Sequence, residues 1–272
     1  MTLTPCNVID LFGVIHSVGG RLRVAAALAV VAILVSCARE PEPRAPVLTT
    51  APPTTTTTTS APPPVMFPPP YAYGTVQATA PPITGGLVPV VNRIATDKPY
   101  VFITIDDGAI KHPAAAEMMR KAGIRPSLFL NTKYIEGQRD YFKALPVTVH
   151  SHTSTHPNLS GKGYDFQKNE ICGNADFITG EYGKRPTLFR PPFGNHDNTT
   201  RKAAADCGFK ALVMWTAAVN DGRVQFQAGD KLNRGDIVLM HFRTTFAEDF
   251  QAFLDRAKAD GLTPVPLEDF LA

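Results

Sequence analysis

The chain has 272 residues, of which 44% are apolar and 19% charged, and it carries a net charge of +3 at pH 7. That length suffices for one substantial hydrophobic core, a domain usually taking about 100–200 residues. The small net charge, with basic residues scattered rather than gathered into a run, argues against a nucleic-acid partner.

At the N-terminus, Arg21 and Arg23 precede the apolar run VAAALAVVAILV, Val24 to Val35. Roughly a dozen apolar residues are too few to span a bilayer, which needs about 20, and suit the core of a signal peptide. The run closes on LVSC, Leu34 to Cys37, which resembles the lipobox of bacterial lipoproteins. Residues 1–37 are therefore expected to direct export, with Cys37 as the lipid-bearing first residue of the mature chain. The expected location is the outer face of a membrane, facing a cell wall; an ordinary cleaved signal would give a secreted protein instead.

Residues 38–86 are rich in proline and threonine and show neither helical nor strand periodicity. They are expected to form an extended linker, polyproline-like at about 3.1 Å per residue and reaching on the order of 150 Å. Four cysteines occur in the chain. Cys6 lies in the segment expected to be removed and Cys37 is assigned to lipid, which leaves Cys172 and Cys207. In an oxidising, exported setting these two either pair or stay as separate buried thiols, and their spacing does not decide between the two.

From about Leu87 to the C-terminus the pattern alternates. YVFITI reads as a strand, HPAAAEMMRKAG as a helix closing on Gly123, and PSLFLN and PVTVHSH as short strands. A helix around DFQKNEICGNADFITGEYG, a strand TLFRPP, a helix NTTRKAAADCG, strands KALVMW and DIVLMH, and a last helix EDFQAFLDRAKADG follow. Strands alternating with helices predict a parallel β/α sheet over 87–272, either open or closed into a barrel. Sites in such folds lie at the C-terminal ends of the strands.

Those ends carry Asp106 and Asp107, then His150, His152 and His156, then Arg190, and finally His241, with Asp221 a short way after LVMW. Adjacent carboxylates at a strand end repel each other and resist burial unless something positive satisfies them. His152 and His156, four positions apart in HTSTH, can present both imidazoles to one side. With one carboxylate they form a two-histidine, one-carboxylate set that holds a divalent cation and leaves positions open. His150 fits better as a structural residue than as a participant.

TIDDG (Thr104 to Gly108), HTSTHPNL (His152 to Leu159), RPPFG (Arg190 to Gly194) and IVLMH (Ile237 to His241) together resemble the successive motifs of NodB-type polysaccharide deacetylases, carbohydrate esterase family 4. The resemblance runs from about Val90 to the C-terminus. It implies a distorted (β/α) barrel of the NodB-homology type. It also implies Asp106 as general base, Asp107, His152 and His156 as ligands of one divalent ion, zinc first with cobalt or nickel as alternatives, and Arg190 as the residue that orients the base. By the same resemblance His241 is the general acid and the Phe193 backbone amide contributes to an oxyanion site. Asp221 is the candidate carboxylate for seating His241. One departure stands out, because Gly222 follows Asp221 where the family usually has tryptophan.

The expected activity is removal of N-acetyl groups from an amino-sugar polysaccharide, with cell-wall peptidoglycan or chitin-like oligomers as substrate. The alternatives are an O-deacetylase such as an acetylxylan esterase, or a weakly catalytic wall-binding module. Expected partners are the wall polysaccharide and a membrane reached through Cys37, with no nucleic acid, and the protein is expected to be a monomer.

Overall fold

The structure, a computed structural model, describes residues 66–272. The expected export segment with Cys37, and the linker up to residue 65, lie outside the described residues. Among the described residues no helix is long and apolar enough to cross a membrane.

The strand that ends in the two aspartates, β2 (Tyr100–Asp107), shows how the fold is built. Side chains alternate along a strand. Val101, Ile103 and Ile105 accordingly enter one apolar cluster, while Phe102 enters a different one on the other face. Burial on both faces is what a parallel strand covered by helices requires.

On one side of β2 lie β3 (Ser127–Leu130), β4 (Thr148–Ser151), β5 (Leu188–Phe189), β6 (Ala211–Val213) and β1 (Val90–Val91), in that order. On the other side lie β9 (Ile237–His241), β7 (Ala217–Asn220) and β8 (Arg223–Phe226). A short strand β10 (Thr263–Pro264) also pairs with β2. Every pairing is parallel except that of β7 with β8. Strands β1 and β8 end the order without pairing to each other, so the sheet curls as a distorted, incompletely closed barrel, the architecture expected from sequence.

The main helices are α1 (Ala115–Ala122), α4 (Tyr164–Tyr182), α5 (Asn198–Asp206) and α6 (Phe246–Ala259), with short turns α2 (Thr132–Ile135) and α3 (Arg139–Lys143). Helix α1 stops at Gly123, whose φ of 75° is left-handed and whose N–H bonds back to the Met119 and Arg120 carbonyls. Helix α5 starts with a reciprocal cap between Asp197 and Thr200.

Cys172 on α4 and Cys207 just after α5 form a disulfide, which settles the alternative left open by the sequence. It closes 35 residues between two helices that also share the buried side chains Ile171, Ala175, Ala203 and Ala204. The Cys172→Ala/Cys207→Ala chain is expected to lose about 2–4 kcal/mol of stability. Urea unfolding of both chains measures this, and reductant should shift the parent chain and leave the variant unmoved.

The boundary expected at residue 86 moves towards the N-terminus. Residues 66–86 carry almost no regular structure, yet they belong to the folded unit. The Phe67 N–H bonds to the Ala122 carbonyl at 2.9 Å and its ring is buried. Tyr71 and Tyr73 pack edge to face, and Tyr71 also meets Tyr100 and Phe270. The Gln77 N–H bonds to the Asp269 carbonyl at 2.6 Å. Proline-rich composition masks this strap because its partners lie far away in sequence rather than at a local period.

Candidate active site

Strands β2, β3, β4, β5 and β9 bring their C-terminal ends together, and the residues there converge. Asp107 and Gly108 leave β2 with φ of 71° and 84°. This double left-handed step turns the Asp107 side chain out of the strand's alternation. Gly108 is obligatory at this position. A Cβ there would lie 2.9 Å from Phe142 Cζ and 3.0 Å from Ile135 Cγ2. Gly108→Ala is expected to cost on the order of 2 kcal/mol or more through overpacking and left-handed strain, measured by urea unfolding.

Asp107 Oδ1 lies 3.6 Å from His152 Nε2 and 3.4 Å from His156 Nε2, and the three ligand-type atoms fall within 4.8 Å of one another. His152 Nδ1 stands 2.7 Å from the Arg190 carbonyl oxygen. A carbonyl only accepts, so Nδ1 carries the proton and the Nε2 lone pair faces Asp107. Asp107 Oδ1 is buried and has no hydrogen-bond partner among the described residues. An orphaned carboxylate oxygen facing two imidazole nitrogens is a donor set that a divalent cation satisfies, and the residues fit one.

Burial pushes the His152 imidazole down to about 3, against the pull of Asp107. The folded chain therefore binds fewer protons here than the unfolded chain. The stability this group contributes is complete above its unfolded value near 6.5 and is lost as pH falls towards 3.

The loop carrying the histidines is held by polar side chains that the sequence did not single out. Asn174 of α4 accepts from Ser151 Oγ at 2.6 Å and from the His152 N–H at 3.2 Å, and it donates to the Leu130 carbonyl. Asn131, at the end of β3, donates to the His152 carbonyl and to that of Thr153. Glu170 accepts from the Thr155 N–H and hydroxyl at 2.8 and 2.7 Å. A single asparagine in a helix pattern carries no distinguishing signal, so only the folded loop identifies these residues. Five non-glycine residues among those described have positive φ, and four of them, Asp107, Thr153, His156 and Phe193, sit here. Strained backbone gathered in one place is a mark of a functional site.

Asp106 is 2% exposed, and its Oδ1 accepts from Arg190 Nη1 at 2.6 Å. Arg190 is fully buried. Its remaining N–H groups reach Thr104 Oγ1 and the Val213 and Met214 carbonyls at 2.8, 3.0 and 3.2 Å, and its guanidinium lies 4.4 Å from the Phe129 ring centre. Burial raises the Asp106 carboxyl, while Arg190 and His241 pull it back. A buried carboxylate persists only with such a partner. The two aspartates thus differ in their partners: Asp106 is bonded to Arg190 through Oδ1, with His152 Nε2 3.7 Å from its Oδ2, whereas Asp107 faces both histidines.

His241 lies opposite Asp106 in the β2–β9 register. Burial lowers its pKa and Asp106 opposes the shift, while its buried Nδ1 has no partner among the described residues. Asp221 does not supply one, which corrects its assignment as the carboxylate that seats His241. It stands exposed at the tip of the β7–β8 hairpin, and no hydrogen bond joins it to His241 among the described residues. Asp221 and Gly222 have φ of 51° and 68° between the paired residues Asn220 and Arg223. Asp-Gly is the dipeptide that a tight hairpin turn of this kind demands, and that signal was present in the sequence.

Phe193 is 63% exposed, with its ring centre 4.7 Å from that of His156. Trp215, beyond β6, lies beside Arg190 with 5.6 Å between guanidinium and ring. Gly194 lets it approach, since a Cβ there would stand 3.0 Å from the indole. His150 is buried against Phe129, with Nε2 3.8 Å from Glu268, and takes no part in the metal-type cluster.

The family model described as polysaccharide deacetylase matches residues 93–212. An uncharacterized protein of Streptomyces coelicolor is 37% identical over 195 residues, covering 68% of this chain and 78% of that protein. A bifunctional xylanase/xylan deacetylase of Cellvibrio japonicus is 27% identical over 52% of this chain and 23% of its own length. A peptidoglycan-N-acetylglucosamine deacetylase of Bacillus cereus is 25% identical over 46% of this chain and 47% of its own. The chain thus spans less than half of the last two relatives. The solved structure of a family 4 carbohydrate esterase from Streptomyces lividans, in complex with acetate, superposes with a TM-score of 0.53 at 27% identity. That superposition covers 62% of this chain and 93% of the esterase.

Proposed function

Because the chain belongs to the polysaccharide deacetylase family, carbohydrate esterase family 4, we propose that it removes N-acetyl groups from an amino-sugar polysaccharide, with peptidoglycan as its substrate. The observation that carries this reading is the division of the paired aspartates, one held by a buried arginine and the other facing two histidines. When bound by Asp107, His152 and His156, a divalent cation, zinc before cobalt or nickel, supplies Lewis acidity that makes water easier to deprotonate.

Asp106 is the base. Arg190 occupies its Oδ1, which leaves Oδ2 to take the proton of the attacking water. The Arg190 guanidinium is itself fixed by Thr104 and two carbonyls, so the carboxylate has little freedom to turn away. His241, across from Asp106, delivers the proton that the departing amine needs. The negative charge of Asp106 favours the imidazolium against burial before the attack, and its neutralisation on taking the water's proton lets His241 give up its own more readily. The Phe193 N–H, held in a left-handed turn, would donate to the developing oxyanion.

The name of the Bacillus cereus relative and the expected export to a wall support peptidoglycan. The lipid anchor on Cys37 and the monomeric state belong to the same reading. The Cellvibrio japonicus relative favours one competitor, an O-acetyl ester substrate on the same residues.

Acetate release from N-acetylated peptidoglycan, chitooligosaccharide and acetylxylan, with chelator and with zinc, cobalt or nickel restored, tests the proposal. Acetate from the amino-sugar polymers, abolished by chelator and returned by metal, is the expected result. Acetate from acetylxylan alone would transfer the assignment to an esterase, and none from any substrate would leave a binding module.

A further inference from the structure

The far end of the barrel, where the strands begin, holds a cavity of about 610 Å³. Arg125 precedes β3, Thr148 begins β4, and Lys210 precedes β6, so this cavity opens away from Asp106 and the histidines. A second cavity of about 250 Å³ adjoins it, sharing Thr148 and Lys184 and adding Lys143. Four cations therefore line these two adjoining cavities. None of them is in an ion pair among the described residues.

Two carboxylates also line the larger cavity, and each is engaged through one oxygen. Asp269 accepts from the Gly74 N–H at 3.1 Å. Glu268 accepts from Ser127 Oγ at 2.5 Å on Oε2 and faces His150, a buried side chain whose two nitrogens have no hydrogen-bond partner among the described residues. The larger cavity thus combines unpaired positive charge at its rim with a carboxylate acceptor and the Thr148 hydroxyl at its floor, and with the Tyr73 ring at one side.

A bare anion would use the rim and offer nothing to Glu268 Oε1, which accepts no hydrogen bond among the described residues while Oε2 is held by Ser127. A neutral sugar would use the floor and leave the cations unmatched. An acidic saccharide satisfies both, its carboxylate or phosphate meeting Arg125, Lys184 and Lys210 while its hydroxyls donate to Glu268. The volume lies within the range of about 300–1,000 Å³ usual for ligand sites. We propose that this larger cavity is a second carbohydrate site, separate from the metal-type cluster and specific for an acidic saccharide. It holds whether or not the chain deacetylates the same polymer.

Calorimetric titration of the full chain with trigalacturonate, with glucose 1-phosphate and with neutral diacetylchitobiose tests this. At least one acidic probe is expected to bind, weakening as salt rises, while the neutral sugar gives at least tenfold lower affinity. Trigalacturonate alone identifies a carboxylate ligand and glucose 1-phosphate alone a phosphate ligand. Lys184→Glu/Lys210→Glu should cost at least tenfold in affinity for the acidic probe, with acetate release from short soluble substrates unchanged. Wild-type salt dependence gives an independent reading should the variant fail to fold. Unchanged acidic binding in the folded variant, equal binding of acidic and neutral probes, or binding insensitive to salt would overturn the proposal.

Discussion

Asp106→Asn is expected to lower turnover by about 10²–10⁴-fold while the chain keeps its full complement of divalent metal. The amide cannot take a proton from water, yet it still offers an oxygen to Arg190 Nη1 at the same place. Asp106 is outside the Asp107, His152 and His156 set, and asparagine keeps its size beside His152 Nε2, so the three ligand side chains are retained. Turnover and metal content, measured on one preparation, separate the two aspartates. Retained turnover would remove Asp106 as the base, and loss of metal together with turnover would make it a ligand.

Arg190→Met is the substitution expected to damage the fold most. It leaves Asp106 buried with no cation beside it, for which about 3–5 kcal/mol is typical. It also strips donors from Thr104 and from the Val213 and Met214 carbonyls, although methionine roughly preserves the contact with Phe129. The sign of the pH dependence follows. Burial already raises the Asp106 carboxyl in the folded chain, and without Arg190 that rise is unopposed except by His241. A folded state that binds more protons than the unfolded one loses stability as pH rises through the window between the two pKa values. The variant should therefore be least destabilised in mild acid and progressively worse above it, as urea unfolding at several pH values would show. A loss of under about 1 kcal/mol at neutral pH, the scale of an exposed ion pair, would contradict the buried-pair assignment.

Local pattern and charge explain what could be read in the sequence. TIDDG was legible because two carboxylates at the end of an alternating apolar strand demand satisfying partners, and Arg190 stands beside Asp106 while His152 and His156 face Asp107 at the strand ends. HTSTH was legible because a four-residue spacing brings two imidazoles together, although a tight loop with left-handed Thr153 and His156 does this rather than a helical turn. Asp221 misled because its position after a strand resembled a site residue, while the Asp-Gly turn it forms answered to backbone geometry instead.

Other features have no local signature. The strap at 66–86 is held by backbone hydrogen bonds and aromatic contacts to Phe270 and Asp269, nearly the whole domain away in sequence. Asn131 and Asn174 matter only because a folded loop presents unpaired backbone groups to them. The Cys172–Cys207 bond depends on the packing of α4 beside α5, which spacing alone does not reveal.

The division of labour between adjacent aspartates is the central claim, and metal stoichiometry paired with acetate release tests it most directly. Asp106→Asn should bind one divalent ion per chain and release acetate about 10²–10⁴-fold more slowly, whereas Asp107→Asn and His152→Ala should bind far less metal and lose acetate release with it. Equal metal content in all three variants, or full acetate release from any of them, would contradict it.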